Sequence, residues 1–311
     1  MLYPRASAAR RVTDLGGMWK FCLDWDGKGD QEGWKDGIPG TEKIPVPASF
    51  NDFYTDKDIR EFAGDFWYET EVFVPGEWRE MHVDLRFAAL THRGTVYVNG
   101  QEVISHEGGF LPFSARIDDV VRWNEKNLVV VKGNNELSFT SLPAGFTQTL
   151  KSGKKMIRPF FDFFNYAGIQ RPVKLVALPK EYIEDFTVNH RLDGTTAYVD
   201  YQMETTGDHP VTVEVFDENG SFVTKAEGKT GTITIPEARL WEVRDAYLYR
   251  FVLKIMDGDA VIDEYEEEIG IRTFEIQGNS FILNGHPVYL KGFGKHEDSD
   301  IVGRGYNPGV I

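Results

Sequence analysis

Two polar clusters carry residue types that could do chemistry. In Arg158-Pro-Phe-Phe-Asp-Phe-Phe-Asn-Tyr-Ala-Gly-Ile-Gln-Arg171, Asp162 and Asn165 sit among four Phe and one Tyr. Phenyl faces take the C–H faces of a sugar ring, while a carboxylate and an amide pair with its hydroxyls, so this mixture suits carbohydrate recognition. The plainer alternative is a packed turn in which Asp162 caps local N–H groups and the rings are core. The second cluster, Gly292-Phe-Gly-Lys-His-Glu-Asp298, is a glycine-flanked polar burst that follows the apolar run Tyr289 to Phe293. His296, Glu297 and Asp298 could each reach a substrate from there. Glu297 and Asp298 do not suit the carboxylate pair that cleaves a glycosidic bond with retention. That pair stands about 5 Å apart across the scissile bond, whereas adjacent residues of an extended chain point to opposite faces.

Other chemistry finds little support. There is no phosphate-binding loop with Lys-Ser/Thr, no nucleophile elbow and no His-Glu-x-x-His helix. The histidines at positions 82, 92, 106, 190, 209 and 286 show no metal-ligand spacing and read as structural or surface residues. Neither a metal nor a cofactor is expected.

The elements that must hold these clusters are strands. Val83, Leu85 and Phe87 alternate with His82, Asp84 and Arg86, as a half-buried strand requires. Hairpin turns are marked at Asn99-Gly100, Asn219-Gly220, Asp257-Gly258 and Asn284-Gly285, each beside β-rich runs such as Val211 to Phe216 and Tyr249 to Ile255. Residues 1–180, rich in Phe and Trp, fit a jelly-roll β-sandwich, which buries an aromatic excess without long open edges. Residues 181–273 show about seven short alternating runs, the rhythm of an immunoglobulin-like β-sandwich. From 274 to 311 a third element begins: a hairpin over Phe281 to Leu290, a strand over Tyr289 to Phe293, then turn residues alone. A strand ending in a polar cluster is what opens a (β/α)8 barrel, and one strand cannot close it. Phe281, Ile282, Val288, Leu290 and Phe293 are then expected to lie uncovered, with a tendency to associate. The seven acidic residues between Asp257 and Glu268, with no basic one among them, read as a solvated sheet edge.

The 311 residues hold 34 basic and 49 acidic side chains, a net charge of −15 that repels phosphate backbones and anionic lipid. Nucleic acid and membrane are therefore poor partners. Cys22 is the single cysteine and cannot form an internal disulfide. Met1 to Lys20 has no apolar run to serve as a signal-peptide core, and a cytoplasmic protein is expected.

At its two clusters the chain resembles glycoside hydrolase family 2, and within it the β-glucuronidases. The resemblance rests on Asp162-Phe-Phe-Asn-Tyr-Ala-Gly-Ile-x-Arg171-x-Val173, on Leu290-Lys-Gly-Phe-Gly-Lys-His-Glu-Asp298 and on the junction Gly270-Ile-Arg-Thr273. Supporting fragments, including Leu15 to Phe21, Val46 to Asp52, Gly108 to Phe113 and Asn134 to Leu137, extend it over essentially all 311 residues. It implies a jelly roll, an immunoglobulin-like domain and a TIM barrel acting together as a retaining exo-glycosidase, commonly a homotetramer. A residue matching Asp162 meets the sugar hydroxyls, a residue matching His296 lines the same pocket, and Asn165, Glu297 and Asp298 stand behind them. The family's acid/base and nucleophile glutamates lie on later barrel strands, as does its Asn-x-Lys pair for the glucuronate carboxylate. No catalytic residue is therefore assigned within this chain, which alone is expected not to hydrolyse a glycoside. The competing readings are another family 2 glycosidase such as a β-galactosidase, a non-catalytic carbohydrate-binding sandwich, and a two-domain interaction protein without a sugar ligand.

Overall fold

The computed structural model describes residues 2–300 and 302–307. The chain forms two compact units, one from Val12–Ala177 with the residues from Lys295 onward, the other from Leu178–Gly294 with the residues up to Arg11.

The first unit is a two-layer β-sandwich. One sheet has six strands in the order Lys43–Val46, Gly17–Leu23, Asp65–Val74, Glu125–Asn134, Arg93–Val98 and Gln101–Glu107. The other runs Arg11–Asp14, Val173–Leu178, His82–Phe87 and Phe113–Arg116. Its core takes Trp19, Phe21 and Tyr68 from the first sheet and Val83, Leu85 and Phe87 from the second. Each fully buried apolar side chain of this size contributes about 1.5–3 kcal/mol, and together they fix the register of the strands whose ends hold the site. Asn99 and Gly100 both have positive φ, 51° and 80°, the backbone of a two-residue turn whose twist matches the flanking strands. The long central pair, Asp65–Val74 against Glu125–Asn134, is antiparallel with Asp65 opposite Asn134.

The second unit contains a seven-stranded sandwich: Ile183–Asp193, Thr196–Thr205 and Thr230–Ile235 in one sheet; Phe222–Glu227, Val211–Phe216, Tyr249–Asp257 and Ala260–Ile269 in the other. Val199, Tyr201, Val213, Phe251, Leu253 and Tyr265 fill it. The acidic run does fall on an edge strand, Ala260–Ile269, but its reading as wholly solvated needs correcting at Asp263, which is 0% exposed. Its carboxylate accepts from Arg10 Nε at 2.8 Å, from Arg10 Nη2 at 2.5 Å and from the Ile183 amide at 2.8 Å. Arg10 Nη2 also donates to the Ile183 carbonyl, and the guanidinium lies 5.1 Å from the Tyr265 ring centroid. A charge can be buried here because both carboxylate oxygens accept hydrogen bonds and the opposite charge of Arg10 is in direct contact.

After Thr273 come three short antiparallel strands, Phe274–Gln277, Ser280–Leu283 and His286–Val288. The expected strand over Tyr289 to Phe293 is absent, since residues 289–298 carry no strand pairing. A parallel barrel strand takes its hydrogen bonds from strands on either side, and none flanks this segment among the described residues. Of the five apolar side chains expected to lie uncovered, Phe281, Leu290 and Phe293 are exposed, Val288 is half-buried and Ile282 is buried.

Candidate functional site

Within the first unit the aromatic turn follows the strand Lys155–Pro159, which pairs antiparallel with Gly145–Thr149. Residues 160–168 have little regular structure and are pinned by buried polar groups instead. The Ala167 amide donates to Asn51 Oδ1 at 2.8 Å, and the Thr91 amide donates to the Gly168 carbonyl at 3.1 Å. Asn165, 9% exposed, places its Oδ1 2.6 Å from His92 Nε2 and donates from Nδ2 to the Asn135 carbonyl at 3.1 Å. Asn135 in turn accepts from the Gly64 amide and donates to the Phe62 carbonyl. At Gly168, with φ 134°, a Cβ would stand 2.7 Å from the Tyr68 hydroxyl and 2.8 Å from the Ala48 carbonyl, so only glycine allows this approach.

The second cluster is fastened to the same unit. The Ser49 amide donates to the Val302 carbonyl at 2.9 Å, and Ser49 Oγ accepts from the Arg304 amide at 3.2 Å and from Gln170 Nε2 at 3.0 Å. Arg171 bridges the two clusters: Nη1 donates to the Arg304 carbonyl at 2.7 Å, and Nη2 meets Glu297 Oε2 at 2.6 Å. Gly303 and Gly305 permit the contact, since a Cβ on either would come within 2.8 Å of Ser49 Cβ or 2.6 Å of Ala48 Cα respectively.

The predicted residues therefore meet through their neighbours. Asp162 is exposed, and Phe163 beside it makes an edge contact with the His296 ring at 6.2 Å between centroids. Phe161 lies 4.2 Å from Phe163. His296 is 63% exposed, and its Nδ1 is 3.9 Å from Asp298 Oδ1. Asn165 is a buried anchor and not a surface contact, while Glu297 is tied to Arg171. Phe163, Phe164 and Asn165 also line a cleft of about 440 Å³ with Arg60, Phe62 and Ile157, a volume within the range that takes a small ligand. An exposed carboxylate, an exposed imidazole and half-buried phenyl rings can bind and orient a polyhydroxylated ring.

Three contributors escaped the sequence reading. Arg304 lies over Phe163 at 4.8 Å and over Phe110 at 5.5 Å, holding the aromatic wall by cation–π contact. Tyr166 is raised to about 12, first by burial and then by its hydrogen bond to Asp52 and the charges of Asp52 and Asp298. It stays a neutral hydroxyl. His92, read as structural or surface, is 4% exposed and held at about 4, chiefly by burial, with Arg93 and Arg304 adding to the effect against the opposing Asn165 hydrogen bond. The folded state thus refuses a proton that an unfolded histidine accepts near pH 6.5. His92 consequently favours folding above about pH 6.5, and that contribution is lost as the pH falls toward 4, about 3 kcal/mol across the window. Urea unfolding between pH 4 and 7 should show this slope, and His92→Gln, which cannot titrate, should flatten it.

Known proteins are similar to this chain over its whole described length. The chain matches the models described as glycosyl hydrolases family 2, sugar binding domain, over residues 12–179; glycosyl hydrolases family 2 over 181–272; and glycosyl hydrolases family 2, TIM barrel domain, over 274–310. It is 39% identical to a β-glucuronidase of Paenibacillus borealis, across 100% of this chain and 53% of that protein, and 40% identical to one of Streptococcus agalactiae, across 99% and 51%. Among solved structures it is similar to the β-glucuronidase of Ruminococcus gnavus, at 53% identity and a TM-score of 0.97 over 99% of this chain and 53% of that one. The same relative has been solved in complex with D-glucuronic acid, where the coverage is 99% and 54%. The chain spans about half the length of the relatives it matches.

Proposed function

This chain belongs to glycosyl hydrolase family 2, and from that premise we propose that it is the N-terminal half of a retaining β-glucuronidase, the part that holds the sugar while the other half cleaves it. One observation supports the reading: the ring of Phe163, next in sequence to Asp162, meets the ring of His296 edge-on at 6.2 Å, across more than 130 residues of chain. In this account the Asp162 carboxylate accepts hydrogen bonds from hydroxyls of the non-reducing sugar. The phenyl faces take its C–H side, and His296 closes the pocket beside them. Asn165, Glu297 and Asp298 position this wall and do not touch the reacting atoms. Cleavage falls to two glutamates outside this chain. One attacks the anomeric carbon while the other protonates the leaving oxygen, and water then releases glucuronate with retained configuration.

The whole enzyme is proposed to be a homotetramer, the assembly that the family resemblance implies, which its mass in solution by light scattering checks; it is further proposed to be cytoplasmic, which fractionation of the producing cells checks. The functional test is turnover. The polypeptide joining this chain to the half its relatives carry should hydrolyse an aryl β-glucuronide and leave the matching β-galactoside essentially untouched. Preference for the galactoside would replace this reading with that of another family 2 glycosidase. Sugar binding without turnover of either would favour a non-catalytic module.

A further inference from the structure

Four buried polar side chains, His92, Asn51, Asn135 and Asn165, lie beneath the aromatic turn, and only Asn165 was singled out by sequence. Their exposures are 4%, 1%, 0% and 9%. Orientation within the group is forced. The Asn135 carbonyl can only accept, so the amide nitrogen of Asn165 faces it, and Asn165 Oδ1 faces His92. The 2.6 Å contact then requires the proton on His92 Nε2, leaving Nδ1 bare. That nitrogen is buried with no hydrogen-bond partner among the described residues, and a Cβ on Gly109 would stand 3.1 Å from it. The imidazole backbone is itself fixed on both sides. The His92 amide donates to the Asn134 carbonyl at 3.0 Å, and the His92 carbonyl accepts from the Gly108 amide at 3.1 Å.

We propose that His92 is a positioning residue for substrate: as a neutral Nε2–H donor it clamps Asn165 and so holds the Asp162–Asn165 turn in the orientation that presents Asp162 to the sugar. The inference rests on the reading of Asp162 as a sugar contact. Leaving the clamp unmade strands Asn165 Oδ1 in a buried site. The turn then gains freedom just where a displacement of about 1 Å at a sugar contact can cost about 100-fold in rate. A charged imidazole could not serve, because Nδ1–H would face no acceptor and the cation would lie near Arg93 and Arg304.

The test compares two neutral amides of different reach, His92→Gln and His92→Asn, in the full-length enzyme on an aryl β-glucuronide. The terminal nitrogen of Gln extends to the position of His Nε2, while that of Asn stops near Nδ1. His92→Gln should keep kcat/KM within about threefold, and His92→Asn should lose about 10- to 100-fold, mostly through KM. Each is also made in an Asp162→Ala background, where His92→Asn should have little further effect, because the residue it acts through is gone. Equal activity of the Gln and Asn variants, or an undiminished loss in the Asp162→Ala background, would overturn the proposal. If His92→Asn does not fold, His92→Gln decides alone: retained activity at an unchanged pH optimum supports the clamp, and a loss like that of Asp162→Ala refutes it. Failure of the underlying reading looks different, since Asp162→Ala would then leave kcat/KM unchanged by itself.

Discussion

Asp162→Ala in the full-length enzyme should lower kcat/KM for an aryl β-glucuronide by about 100-fold, while the melting temperature moves little. The two halves of that expectation have separate causes. Asp162 is exposed, and its neighbours hold the turn without it: Asn165 through His92 and Asn135, Ala167 through Asn51, and Gly168 through Thr91. Removing an exposed carboxylate from a turn anchored elsewhere changes stability by only about 0.5 kcal/mol. Binding is another matter, because a hydrogen bond from a sugar hydroxyl to a carboxylate is worth about 1.5–3 kcal/mol, and each 1.4 kcal/mol is tenfold in rate. Asp162→Asn should fall between the two, since the amide keeps one accepting oxygen but loses the charge that strengthens the bond. If Asp162→Ala instead unfolded the protein, the carboxylate would be a cap, as the plainer sequence reading had it.

The largest expected loss of stability lies in the other unit, at the Arg10–Asp263 pair. Asp263→Ala leaves a guanidinium that is 4% exposed without its carboxylate, and leaves the Ile183 amide without its acceptor. Breaking a buried pair from one side costs about 3–5 kcal/mol, a large part of the stability of an ordinary domain. Urea unfolding should register that loss for either Asp263→Ala or Arg10→Ala. The double variant should be much less damaging than the sum of the two, because it strands no charge. A surface pair behaves differently. Arg171→Ala breaks contact with Glu297, which is 58% exposed, and that ion pair alone is worth at most about 1 kcal/mol. An Asp263→Ala variant that unfolded at the same urea concentration as the parent would show the pair to be solvated after all.

Those contrasts mark what was legible in the sequence. Strand identity could be read wherever side chains alternate, as at Val83, Leu85 and Phe87, and turns wherever Asn-Gly supplies positive φ, as at Asn99-Gly100. Both polar clusters were visible because a carboxylate or histidine among phenyl rings is conspicuous. What stayed hidden depends on partners distant in sequence. His92 and Asn165 are 73 residues apart, Arg171 and Glu297 are 126 apart, and Arg10 and Asp263 are 253 apart. Asp263 lies in an acidic run, and nothing local tells the one buried carboxylate from its solvated neighbours. Tyr289 to Phe293 erred in the opposite direction: its residue types favour a strand, but a strand forms only where a ladder partner exists.

The most direct test of the central claim is a crystal structure of the full-length enzyme with D-glucuronic acid bound. The account predicts a sugar hydroxyl within about 3.2 Å of an Asp162 carboxylate oxygen, with the His296 ring on the wall of the same pocket. A glucuronate seated in the barrel with Asp162 facing solvent, out of hydrogen-bond reach, would contradict it and leave this half of the chain a scaffold without a hand on the substrate.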